Sequence, residues 1–191
     1  TCKGAEHDLL DNDRWQDILS DLCRGRYAAF LVAPPSNTFT RSRQNRQKGP
    51  PPLRSSRFPW GFPWLSGVRK QKIEDANMLM RRAIESMEVA AEAGTPFIFE
   101  FPEDLGKHLG LTPASAWQLP EIKALAEKWK ARRVAVHQKD FGTSFLKPTG
   151  FLLTLLRDDS FGMEGWPSID ELGNYLGPLR WQPAPPMQLG K

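Results

Sequence analysis

The sequence predicts an α/β fold built on a Rossmann-like, mostly parallel sheet flanked by helices. Three observations carry that reading. Residues 27–33, YAAFLVA, are a largely apolar run, too short for a helix and free of charge, which is the pattern of a strand buried on both faces. Residues 68–93 keep apolar side chains at helical spacing over about seven turns. Beyond them short apolar runs alternate with a further helical segment, the βαβ rhythm of a parallel sheet.

The elements follow in order. Asp11 or Asn12 can cap a first helix, in which Trp15, Ile18, Leu19, Leu22 and Cys23 form one stripe to pack on a sheet. Arg24-Gly25-Arg26 ends it with a glycine and cations at the negative pole. A helix followed by a buried strand places the first strand near or before Thr1, so the amino-terminal strands of the sheet are expected to be missing from this chain. The run 27–33 stops at Pro34-Pro35, which cannot donate ladder hydrogen bonds. Residues 36–67 then form a connection far longer than the usual four to six residues, as functional loops often are. In the long helix Ile73, Ala76, Met80, Ala83, Ile84, Met87 and Ala90 mark the core face, and Gly94 and Pro96 end it. Strands are expected at 96–101, 133–137 and 151–156, and a short helix at 121–130. Residues 1–157 read as the domain. Residues 158–191 read as an irregular extension with one weak helix at 168–175.

Composition narrows the classes. At 40% hydrophobic and 25% charged, the 191 residues are those of an ordinary globular protein. No apolar run approaches a membrane span, the first residues lack signal-peptide architecture, and Cys2 and Cys23 have no metal-ligand spacing. No metal site is expected, both cysteines read as reduced and structural, and the setting reads as intracellular, nuclear for a DNA partner. The net charge of +4 is mild, but all nine charged residues between Asn37 and Ile73 are basic. With Phe58, Trp60, Phe62 and Trp64 among them, Arg41, Arg43, Arg46, Arg54 and Arg57 suit a nucleic acid, since arginines neutralise phosphates while bases stack on aromatics. DNA is the expected partner, and RNA meets the same chemistry.

Polar residues fall at successive strand ends: Ser36, Glu100, and Gln138 with Asp140. If those strands are parallel neighbours, the three converge on the edge where α/β sheets bind ligands. Taken alone, Ser36 also reads as a turn or capping residue, Glu100 as a surface carboxylate paired with a lysine, and the basic run as a solvated loop.

These residues resemble the cytosine-5 DNA methyltransferases, and more closely the divergent methylase-like proteins of dinoflagellate genomes. Pro34-Pro35-Ser36-Asn37-Thr38-Phe39-Thr40 lies on the family's Pro-Pro-Cys motif and the Phe-Ser pair after it. Glu100-Phe101-Pro102 lies on its Glu-Asn-Val or Glu-Asn-Pro motif, and Gln138 through Lys147-Pro148-Thr149 on a glutamine-plus-basic motif. His7-Asp8-Leu9 falls on the acidic motif that contacts the cofactor's adenine. The resemblance implies S-adenosylmethionine as cofactor, an antiparallel last strand, Asp8, Leu9 and Pro34 beside the cofactor, and Lys147 and Arg41 among the nucleic-acid contacts. It implies Ser36 in the nucleophile's place, Glu100 on the flipped cytosine, and Gln138 and Arg41 in support.

The same comparison implies a weak catalyst. Serine replaces the cysteine, and a hydroxyl needs an adjacent base where a thiol ionises near neutral pH. His7 and His137 are candidate bases that nothing in the sequence positions. Phe101 replaces the asparagine, and the glycine-rich cofactor turn is absent. The alternative is a non-catalytic nucleic-acid-binding relic that keeps the basic aromatic loop. An amino-methyltransferase would need an acidic or amide residue before Pro-Pro and an aromatic after, where this chain has Ala33 and Ser36.

Overall fold

The computed structural model describes residues 8–44, 49–154 and 161–180. Helix α1 (Asn12–Cys23) leads to strand β1 (Phe30–Val32), α2 (Gly67–Glu92) to β2 (Phe97–Pro102), and α3 (Pro120–Lys128) to β3 (Arg132–His137). Strands β4 (Pro148–Leu153), β5 (Met163–Glu164), β6 (Ser168–Ile169) and β7 (Tyr175–Gly177) follow.

The main sheet has the order β1-β2-β4-β3-β5. Strands β1 and β2 are parallel, β4 runs antiparallel to both β2 and β3, and β5 runs antiparallel to β3. With one parallel pair, the sheet is mixed, which corrects the expectation of a mostly parallel one. Insertion of the reversed β4 between β2 and β3 has a geometric consequence. Strands β1, β2 and β3 all point the same way, so their carboxyl ends and the start of β4 share one edge.

The core lies on one face. Phe97, Phe99 and Phe101 alternate along β2 toward Met80 and Met87 of α2 and Ile122 and Leu125 of α3, with Leu152 opposite Phe99. Trp117 closes this layer, edge-on to Phe99 at 5.5 Å, and its indole N–H donates to the Pro102 carbonyl at 2.8 Å. The end of α2 is set by Gly94 at φ +75°. The Gly94 and Thr95 amides donate to Ala91 and Ala90 carbonyls at 3.0 and 2.8 Å, the paired hydrogen bonds of a Schellman cap.

Five local expectations change. Strand β1 holds three residues, not seven, and Leu31 is 66% exposed. It is an edge strand, paired on one side only, so burial on both faces fails. The α1 stripe meets α2, not the sheet: Trp15 donates to Glu85 at 2.9 Å, and the Arg82 guanidinium lies 5.4 Å from the Trp15 ring. Cys23 is accordingly exposed, not structural, and Cys2 lies outside the described residues. Residues 168–175 form the β6–β7 hairpin where a weak helix was expected, because Asp170 takes the Asn174 amide (2.7 Å) on its carboxylate and the Gly173 amide (2.9 Å) on its carbonyl. Strand β4 starts at Pro148, three residues ahead of its expected position, and the expected residues 155–156 lie outside the described ones. Among the described residues no helix is long and apolar enough to cross a membrane.

Gly150 sits where β4 passes under Trp117. A Cβ there would lie 2.5 Å from Arg133 Nη2 and 2.6 Å from Trp117 Cζ2. Gly150→Ala should therefore cost about 1–3 kcal/mol by overpacking, read as a lower urea midpoint with unchanged slope.

Candidate functional site

The shared edge opens into a cavity of about 320 Å³. After β1, Pro34-Pro35 carries the chain out of the sheet, and Ser36 begins a turn closed by the Phe39 amide on the Ser36 carbonyl at 2.9 Å. Ser36, Phe39, Thr40 and Arg41 form one wall. Phe101, Glu103 and Asp104, running off the end of β2, form the second, and Ser115, Lys147 and Pro148 complete the rim. Phe39 meets Phe101 edge-to-face at 5.2 Å, so part of the lining is aromatic.

Two buried carboxyls stand at this cavity, and burial raises the pKa of both. Glu103 is opposed by Arg133, with which it forms an ion pair out of contact with water. Its other oxygen accepts the Tyr175 hydroxyl at 3.0 Å, and Arg133 also donates to the Gly165 carbonyl at 2.7 Å. Asp104 accepts the Gly106 amide at 3.0 Å and the Gln118 side-chain amide at 2.7 Å. Arg41 donates to the Lys107 carbonyl at 2.7 Å, and burial lowers its pKa against the pull of Asp104. Neither Glu103 nor Asp104 stood out in the sequence. The signal was there: two acids directly after Pro102 leave a strand whose end already marked a site.

Ser36 thus lies where its sequence position implies, while the other two strand-end residues share its edge but not its cavity. Glu100 alternates with Phe99 and Phe101, so it emerges on the opposite sheet face, opposite Phe151, and its carboxylate lies 3.8 Å from Lys147 Nζ. Gln138 donates to the Thr149 hydroxyl at 3.1 Å and so fastens the β3–β4 connection. Asp8 accepts the Leu10 amide at 2.9 Å. Leu9 and Pro34 both line a separate hollow of about 200 Å³ between α1, α2 and the β1 edge.

The basic loop is folded, and two of its arginines are interior. Arg43 donates to the Asn37 and Pro51 carbonyls at 2.6 and 3.2 Å. Arg54 is 1% exposed, lies 3.8 Å over the Phe39 ring and donates to the Pro59 carbonyl at 2.8 Å. Burial, with the Arg43 charge beside it, brings its pKa down to about 9. Both support the turn behind Ser36 and are not available to phosphates, a correction to their expected role. Arg57 is exposed, near the Phe58 ring at 5.6 Å. Trp60 is half-buried, with its carbonyl bonded by Asn77 at 2.6 Å. Arg46 lies outside the described residues. Trp64 is 67% exposed and stacks on Phe62 at 4.8 Å beside exposed Arg69.

In the comparisons with known proteins, no family model, curated protein or solved structure matches the chain.

The arrangement can hold a flat polar ring against Phe39 and Phe101, with Ser36 and Asp104 at its edge. It equips Ser36 poorly as a nucleophile. Neither described histidine lines the cavity; His137 Nε2 lies 3.2 Å from the Arg180 carbonyl, and His7 lies outside the described residues.

Burial raises the Asp104 pKa, so the folded chain binds this proton more tightly than the unfolded chain does. Its contribution to stability is then complete below the ordinary carboxylate range and is lost as pH rises through the raised value. Asp104→Asn should flatten that part of the stability–pH curve, measured by urea unfolding from pH 4 to 8.

Proposed function

We propose that this chain is a cytosine-5 DNA methyltransferase-like domain that receives a nucleic-acid base in the Ser36 cavity, with serine in the nucleophile's place leaving methyl transfer idle. The observation that supports it is topological. Strands β1, β2 and β3 point one way with the reversed β4 between the last two, so the Pro-Pro-Ser turn, the strand end carrying Glu100-Phe101-Pro102 and the Lys147-Pro148-Thr149 segment meet at one edge. Three motifs separated by over a hundred residues of sequence share that edge, which supports the reading.

The hollow shared by Leu9 and Pro34 is the candidate place for S-adenosylmethionine. Its lining of Trp15, Ile18, Val32, Ala33 and Pro34 suits an adenine ring, while Arg82 there is committed to the Leu9 and Asp11 carbonyls. The fit therefore extends to the adenine end of the cofactor. When bound, that cofactor supplies an electrophilic methyl group. Titration calorimetry with S-adenosylmethionine separates two readings: heat supports the methyltransferase-like domain, and none leaves a nucleic-acid-binding relic. The relic reading draws on the exposed Arg57, Trp64 and Arg69, which stand outside the cavity.

Two measurements test the reading. Ser36→Cys places a thiolate where the family has one. With DNA carrying 2-pyrimidinone in place of cytosine, the thiolate should add to C6 while C5 takes a proton, giving a shifted band on a denaturing gel. The unaltered protein should give none, and absence of the adduct from the variant would count against Ser36 as the nucleophile's position. Duplex DNA affinity should fall steeply with salt, and Arg57→Ala and Lys147→Ala should each reduce the slope of log K against log salt by about one.

A further inference from the structure

Resting on the base-binding reading above, we propose that Asp104, not Glu100, is the carboxyl that reads the polar edge of a cytosine ring in the Ser36 cavity. Three observations converge. Glu100 emerges on the other sheet face beside Lys147 and does not line the cavity, whereas Asp104 lines it together with Ser36, Phe39 and Phe101. Glu103 also lines it, but its charge is taken up by the buried ion pair with Arg133, with Tyr175 on its other oxygen. The Asp104 oxygens each accept one bond from a neutral donor, the Gly106 amide and the Gln118 amide. A carboxylate oxygen can accept two bonds, so each retains capacity for a donor arriving in the cavity.

The chemistry then separates cytosine from uracil. Cytosine presents an exocyclic amino group, which donates to a carboxylate. Uracil presents a carbonyl at the same position, which a carboxylate repels. A buried site that bonds a donor discriminates strongly against an analogue lacking it, because its own polar atom is otherwise left unpaired. Phe39 and Phe101 make part of the cavity lining apolar, and Arg41 and Lys147 line it as cations for the attached phosphate.

The test compares deoxycytidine 5′-monophosphate with deoxyuridine 5′-monophosphate by titration calorimetry or saturation-transfer NMR. The two carry the same phosphate charge, so the ratio isolates the base edge. The unaltered protein and Glu100→Gln should both bind the cytosine nucleotide about tenfold tighter, and Asp104→Asn should bring the two within about twofold. An asparagine can retain the Gly106 bond, and the buried Gln118 Oε1, which has no partner, can accept its amide after the Gln118 side chain turns over. Equal binding of the two nucleotides by the unaltered protein overturns the inference, whatever the variants do. Loss of the preference in Glu100→Gln, with retention in Asp104→Asn, overturns it while keeping the base-binding reading. Binding of neither nucleotide overturns both.

Discussion

The buried pair of Glu103 and Arg133 holds the candidate site in place. Removing either partner would leave an uncompensated charge in the interior, so the pair acts as a constraint on everything near it. Arg133 lies on β3 and Glu103 just past β2, with β4 passing between them. Its guanidinium also lies 4.5 Å from the Trp117 ring and bonds the Gly165 carbonyl, while Tyr175 bonds the other end of Glu103 and accepts the Leu179 amide at 3.0 Å. One ion pair thereby ties two central strands, the tryptophan over Gly150 and the hairpin of the tail to a single point. Asp104 follows Glu103 directly, so the same pair anchors the chain just past β2.

A second constraint operates on the opposite wall. Arg54 and Arg43 lie inside the long loop with their guanidinium groups on backbone carbonyls and on the Phe39 ring. Buried cations with no acidic partner among the described residues are costly, and the drop in the Arg54 pKa expresses that cost. What offsets it is backbone order: the carbonyls of Asn37, Pro51 and Pro59 gain donors that a proline-rich loop cannot provide itself. The cavity wall bearing Ser36 is thus built from a segment whose charge pattern alone suggested a solvated, phosphate-seeking loop.

Helix α2 illustrates a segment legible in advance. Its apolar residues repeat with helical period, and Gly94 supplies the left-handed cap, both local properties. Strand β2 was legible for a similar reason, since PFIFEF is apolar with turn signals after it. The β6–β7 hairpin was not, because Asp170 and Asn174 gain their meaning only when the Asn174 carbonyl and amide close on Asp170. Strand β1 was misjudged through an ambiguity of composition: an apolar run does not say whether one neighbour or two will pair with it. The site followed the same division. Ser36 could be placed from the strand end and the double proline, whereas the choice between Glu100 and Asp104 depends on which sheet face each carboxyl takes.

By itself the sequence determined α1, α2 and α3, the segments of β1 to β4 and the edge at which polar residues accumulate, because periodicity, glycine and proline act over a few residues. Only the tertiary structure decided that β4 reverses between β2 and β3, that Arg43 and Arg54 turn inward, and that Asp104 joins Ser36 while Glu100 turns away. Those outcomes depend on long-range pairing and on which buried charges find partners. Neither quantity is carried by any local stretch of chain.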